Sequence, residues 1–202
     1  MPPSIIDKSI ITLSKHIQIS TKAYLCKYKK NQRVELIKNN NIAYLKSGSV
    51  SVYRKEDNLI VTRLDAPFIL GLTQMFNDTK YHYFRCNTMC EMWEISSESA
   101  SNIFNNNNLW ELVFNITSWH MNCYFQRDIM ITQPNNKEII REHIKFIWSM
   151  SPEIRKSTSV YSFIMLRNHI SRSMIHKIIQ ELSVTQNVKI EKGKLIHYED
   201  SM

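Results

Sequence analysis

Between Ser4 and Ile17 apolar residues recur at helical spacing. Ile5, Ile6, Ile10, Leu13 and Ile17 fall near one face, which predicts a short amphipathic helix. From Lys22 to Ile95 the period changes. Short runs rich in Val, Ile, Tyr, Phe and Thr ("KAYLCKYKK", "NIAYLK", "SVSVYRK", "NLIVTRL", "YHYFR", "MCEMWEI") are separated by Asn, Asp, Ser or Gly, the texture of a compact β-sandwich or barrel. In "KSGSVSVYRKEDNLIVTRL", Val50 and Val52 alternate with Ser49 and Ser51 before a polar turn, which predicts a hairpin. Asparagine stands where glycine is usual in turns such as "KNNNIA" and "FNDT", because it tolerates left-handed backbone better than most residues.

After Ser96 the helical period returns. The serines of "SSESASNIF" suit the start of a short helix. The longest helical signal runs from Leu109 to Ile131, where Leu109, Leu112, Ile116, Trp119, Cys123, Gln126 and Met130 alternate spacings of three and four, with Val113 and His120 beside them. A long helix with so narrow an apolar stripe suits a dimer seam, and Leu109, Leu112, Ile116, Trp119, Cys123 and Met130 are its expected residues. Pro134, followed by Asn135 and Asn136, ends the helix. Beyond it, Lys137 to Met150 is amphipathic and is stopped by Ser151-Pro152, and Val160–Ile170 and Arg172–Leu182 read as two helices joined by a tight turn. Strands at Val188–Ile190 and Leu195–Tyr198 turn at Lys192-Gly193-Lys194. Helix, turn, helix and a basic hairpin is the layout of a winged helix-turn-helix.

Charge gives this layout a partner. The 202 residues carry a formal +8, and from Arg167 to Lys194 the six basic residues outnumber Glu181 and Glu191, so half of the net charge lies in about a seventh of the chain. In "NHISRSMIHKIIQEL", Ile175, Ile178, Ile179 and Leu182 share one face, while Arg172, Ser173, His176, Lys177 and Gln180 face elsewhere and Ser171 is placed to cap. A helix that reads the major groove needs this division between a docked side and a polar side. Lys192 and Lys194 of the wing would lie beside phosphates. The candidate DNA contacts are therefore Ser171, Arg172, Ser173, His176, Lys177, Lys192 and Lys194.

Other chemistry finds little support. Cys26, Cys86, Cys90 and Cys123 form no CxxC pair and read as reduced thiols, and Cys86 and Cys90 could share a face of one strand. No HxH, HExxH or paired-carboxylate pattern occurs, so neither an enzyme nor a metal site is expected. No apolar run approaches a membrane span and the first residues do not read as a signal peptide, so the expected compartment is the cytoplasm.

Taken in order, these stretches resemble the cyclic-AMP receptor protein and fumarate-nitrate regulator superfamily of bacterial transcription factors. "YLKSGSVSVYR" is similar to its glycine-containing β-roll strand, "FILGLTQMF" to the entry of its phosphate cassette, "CEMWEIS" to the strand that follows, and "ISRSMIHKIIQEL" to its recognition helix. The resemblance implies an α+β chain with a β-roll (double-stranded β-helix) sensor-like domain over 1–107, a dimerisation helix over 108–133 and a winged helix-turn-helix over 134–202. It implies base contact by Arg172 and phosphate contact by Ser171. The sequence departs from the family pattern at Ser173, Lys177 and His169, the last standing where relatives often carry a turn glycine.

The cassette itself is degenerate. Gly71 is kept, but the family's acidic position falls on Leu72 or Thr73, its arginine on Lys80 and its serine on Tyr81. Lysine lacks the planar two-pronged guanidinium, and tyrosine places a ring where a small donor is needed. No cofactor is expected, and Tyr81, Tyr83 and Phe84 could line or fill an apolar pocket for a different effector or for none. The expected partners are double-stranded DNA, a second copy of the chain and, as a further candidate, RNA polymerase. The competing reading is a protein-interaction adaptor that keeps the roll and has lost operator binding.

Overall fold

The computed structural model describes residues 4–36, 40–79, 81–185 and 188–199. The chain divides into two compact units, Met1–Tyr124 and Phe125–Met202.

The first unit opens with helix α1 (Ser4–Ile19). Its buried face is Ile6, Ile10, Leu13 and Ile17, spaced by four, three and four, while Ile5 sits about 100° away and is exposed. Eight strands follow: β1 (Tyr24–Tyr28), β2 (Arg33–Val34), β3 (Asn41–Ser47), β4 (Ser49–Arg54), β5 (Ile60–Asp65), β6 (Phe68–Leu70), β7 (His82–Cys86) and β8 (Cys90–Ser96). They form two four-stranded antiparallel sheets with orders β1-β8-β3-β6 and β2-β7-β4-β5, the β-roll. Val50 and Val52 pair with Leu64 and Phe84 across the second sheet, and all four enter the core together with Leu45, Leu70 and Met92 of the first. Each such fully buried aliphatic side chain contributes about 1.5–3 kcal/mol. β6 was hidden from the alternation reading because its three residues are all buried.

Left-handed backbone falls at Asn40 of "KNNNIA", as expected, and at Asn31, Asn58, Asn108 and Lys192, but not at Asn77 of "FNDT". Cys86 ends β7 and Cys90 opens β8, so they do not share a strand as the spacing suggested. Both are buried and free, and burial pushes the Cys86 thiol up to about 12.

Helix α2 (Ser97–Asn106) is capped by Ser96, whose Oγ accepts from the Ser99 amide at 3.2 Å. Helix α3 (Trp110–Ile131) corrects the seam expectation. Leu109 and Ile116 are buried in the core of the roll, and Leu112 and Trp119 pack against it. Cys123 is half-buried and Met130 buried. The fuller apolar stripe therefore serves the chain's own packing. A second stripe, Phe114, Met121, Phe125 and Ile129, is exposed at 51–69%. With Ser118 it runs at spacings of four, three, four and four, and periodicity alone could not rank the two faces.

The second unit holds α4 (Asn136–Ser149), α5 (Pro152–Ser157), α6 (Val160–Met165), α7 (Arg172–Thr185), β9 (Lys189–Glu191) and β10 (Lys194–His197). The expected stop at Ser151-Pro152 is also a start: Pro152 occupies the first position of α5, where its missing amide costs nothing. Ile140, Ile144 and Ile147 of α4, Phe163 and Ile164 of α6, and Ile175, Ile178, Ile179 and Leu182 of α7 build one core, closed by Val188, Leu195 and Tyr198.

Candidate nucleic-acid interface and ligand pocket

The apolar face of α7 is spent on that core, which leaves Arg172, Ser173, His176, Lys177 and Gln180 exposed. Ser171 precedes the helix, and its Oγ accepts from the Met174 amide at 3.3 Å and lies 3.1 Å from Ser173 Oγ. The capped end offers partial positive charge and two hydroxyls to a phosphate. Arg172 lies over the ring of Tyr161 on α6, 5.2 Å from guanidinium carbon to centroid, and the Tyr161 hydroxyl is 3.1 Å from His176 Nδ1.

The turn between α6 and α7 is made without left-handed backbone at His169. Instead the amides of Arg167 and Asn168 both donate to the Ile164 carbonyl at 3.0 Å, and Asn168 Nδ2 donates to Nε2 of His143 at 2.9 Å. His143 on α4 is fully buried, and its Nδ1 donates to the Ile139 carbonyl at 2.7 Å. Only the neutral imidazole can do both. Burial first, with Arg167 and Arg127 adding to it, holds its pKa down to about 4.

Acid therefore weakens this unit. Because the folded value lies below the unfolded 6.5, the contribution is full above that pH and falls away as pH drops towards 4. The loss reaches about 2 kcal/mol by pH 5. Urea unfolding of the parent and of His143→Gln, compared at pH 7 and pH 5, checks it: the substitution removes most of that pH-dependent loss.

The wing places its two lysines differently. Lys192 and Gly193 take positive φ at the tip, and the Gly193 carbonyl accepts from the Val160 amide at 2.9 Å. Lys192 is exposed and has no acidic partner among the described residues. Lys194 instead donates its ammonium to the Ser157 carbonyl at 2.6 Å, so it fastens the wing to α5 rather than standing free beside a phosphate.

Within the first unit, Gly71 has φ 90 and leads into a single 3-10 turn, Leu72–Gln74. Gly71 and Thr73 line a residual void of about 20 Å³ bounded by Val52, Leu64, Phe84 and Tyr124. That is room for about one water molecule, far below the several hundred Å³ of a ligand pocket. Leu72 is buried off the void, and Tyr81 is 64% exposed, so Tyr81 does not fill the pocket. Tyr83 is buried elsewhere, stacked on Tyr53 at 5.2 Å, and of the three aromatic residues only Phe84 faces the void. Lys80 lies outside the described residues. Gln74 and Tyr124, which sequence reasoning missed, also line the void with His82 and His120, and His120 is 8% exposed with neither ring nitrogen hydrogen-bonded among the described residues. Burial drives the His120 pKa down to about 4. Among the described residues no cluster of three or more His, Cys, Asp or Glu could hold a metal ion, and no helix is long and apolar enough to cross a membrane.

Residues 137–200 match the family model described as winged helix-turn-helix DNA binding. The chain is similar to the c-di-GMP responsive global regulator CLP of Xanthomonas campestris with a TM-score of 0.71 at 15% identity, covering 94% of this chain and all of that one. The chain has the cyclic-AMP receptor and fumarate-nitrate regulator fold. A cyclic nucleotide-binding domain containing protein of Listeria monocytogenes EGD-e shares this regulator fold, with a TM-score of 0.67 at 15% identity over 96% of this chain and 97% of that one. Curated relatives named "Inhibitor of hydrogen peroxide resistance" are 25% identical, the Salmonella typhimurium protein over 93% of this chain and 96% of its own length, and the Escherichia coli K12 protein over 79% and 77%. A regulator fold joined to a DNA-binding winged helix supports a transcription regulator.

Proposed function

We propose that the chain is a homodimeric transcription regulator that grips a pseudo-palindromic operator with α7 and the tip of the wing, and does so without cyclic AMP. The observation that carries this reading is the capped α7, which presents Ser171, Arg172, Ser173, His176 and Lys177 outward from a fully packed base. Arg172 reads a base edge, for which paired hydrogen bonds to guanine are the common chemistry. Ser171, Lys177 and Lys192 meet phosphates, while Lys194 holds the wing in place for Lys192. The roll, the α3 segment and the winged helix act as sensor-like, dimerising and DNA-binding parts over 1–107, 108–133 and 134–202, and RNA polymerase is the further partner in transcription.

The void of only about 20 Å³ beneath Gly71, inside the roll, supports a regulator unresponsive to cyclic nucleotides. The name "Inhibitor of hydrogen peroxide resistance" borne by the 25% identical relatives supports target genes that bear on survival in hydrogen peroxide.

Gel shifts on the protein's own upstream region test the reading. Arg172→Ala lowers the preference for operator over random duplex by about 10- to 100-fold, and Lys192→Ala weakens both about equally with a shallower salt dependence. If Arg172→Ala binds as selectively as the parent, α7 is not the reading helix. Calorimetry with cyclic AMP gives no heat; micromolar binding would overturn the nucleotide-free reading.

A further inference from the structure

Arg172 and His176 are one helical turn apart on α7, so their side chains leave the same face. A single side chain from another helix touches both. The Tyr161 ring lies under the Arg172 guanidinium at 5.2 Å, inside the range of a cation–π contact, and its hydroxyl meets His176 Nδ1 at 3.1 Å. The wing tip closes on the same place: the residue before Tyr161 donates its amide to the Gly193 carbonyl, and a Cβ on Gly193 would lie 3.9 Å from Tyr161 Cδ2. Three pieces of the DNA-facing surface thus meet at one tyrosine that is itself only partly buried.

We propose that Tyr161 is a positioning residue for sequence readout, which holds Arg172 extended for a guanine edge and sets the tautomer of His176. This rests on the assignment of α7 as the reading helix. A free arginine carries about 2 kcal/mol of rotamer entropy, and a ring beneath its guanidinium removes part of that cost before DNA arrives. Where the phenol donates to Nδ1, the Nε2 proton points outward as a donor. That donor fits guanine N7 or O6, thymine O4 or a phosphate oxygen. Both helices that carry the contact are fixed by the core beneath them, so the aim does not depend on a loop.

Two substitutions separate the roles. Tyr161→Phe keeps the ring under Arg172 and loses the hydroxyl, whereas Tyr161→Leu loses both. Each is measured with Arg172→Ala and the corresponding double variants, using operator and random duplexes across a salt series, with thermal unfolding as the control for folding. The expected results are a fall in operator preference of about 3-fold for Tyr161→Phe and about 10-fold for Tyr161→Leu, with unchanged salt slopes. In the Arg172→Ala background the effect of Tyr161→Leu shrinks to that of Tyr161→Phe, since the ring then has nothing to aim. If Arg172→Ala loses selectivity while Tyr161→Leu keeps it, the positioning role is wrong and the reading helix stands. Equal weakening of operator and random duplex by Tyr161→Phe, with operator preference unchanged, makes the hydroxyl a phosphate contact and also overturns the role. If Arg172→Ala itself is silent, the assignment of α7 fails and takes the proposal with it.

Discussion

Replacing Phe125 with aspartate is expected to turn the proposed dimer into a monomer and to weaken operator binding by about 100-fold or more. Phe125 stands within the exposed stripe of α3, 60% accessible in the single chain, with Met121 one turn before it and Ile129 one turn after. Pairing two copies along Phe114, Met121, Phe125 and Ile129 buries large apolar surface that otherwise faces water. A carboxylate there has no cation to meet in a self-paired seam, so the dimer pays for its desolvation twice. The loss on DNA follows from linkage, because two joined reading helices bind the second half-site at a millimolar effective concentration and a monomer forfeits that factor. Sedimentation gives the mass, and gel shifts give the affinity. Ile116→Asp behaves differently: Ile116 is fully buried in the core of the roll, so that variant loses the folded first unit instead of the dimer. A Phe125→Asp protein that stays dimeric places the seam elsewhere.

Gly48→Ala costs the first unit about 4 kcal/mol or more, at the extreme end for one added methyl. Gly48 joins β3 to β4 with φ 92, and a Cβ there would lie 2.3 Å from the Met89 carbonyl oxygen and 2.7 Å from Cys90 Sγ. The oxygen belongs to backbone and cannot swing away, so strand β8 itself has to move. Gly193→Ala is the control. It shares a positive φ of 78, but its nearest neighbours are 3.9 Å away, and only the left-handed penalty of about 1–2 kcal/mol applies. Hydrogen exchange of β4 and β8 amides assigns the Gly48 loss to the roll. Equal costs at the two glycines would mean that the contact with Met89 relaxes.

Where a pattern has one physical solution, the chain is readable. Val50 and Val52 alternate with serines because only the valine face of β4 joins the apolar core, while the equally buried Ser49 and Ser51 meet Arg63 and Asn87 on the other side, and Ile175, Ile178, Ile179 and Leu182 mark a helix face buried in an apolar core. All three glycines take positive φ. The readings that failed involve choices between surfaces. Helix α3 is apolar on two sides, and its spacing does not say which side meets the chain's own core. Tyr81 and Tyr83 look equivalent to Phe84 as pocket fillers, yet one is exposed and the other stacks on Tyr53, because neighbours along a strand face opposite ways and turn residues need face neither. Lys194 and Lys192 flank one glycine, and only the fold shows that the first is tied to Ser157. Tyr161, Asn168 and His143 gave no signal at all, since each acts through a partner 15 or 25 positions away, as in the Tyr161–His176 and His143–Asn168 pairs.

Selection of binding sites from a random DNA pool by the purified chain, with no nucleotide added, tests the central claim most directly. The expected outcome is a two-fold symmetric motif whose half-sites lie about 10 base pairs apart, or a multiple of one helical turn, recovered equally well with and without cyclic AMP. Recovery of no motif at low salt, or of a motif only when cyclic AMP is supplied, would contradict it.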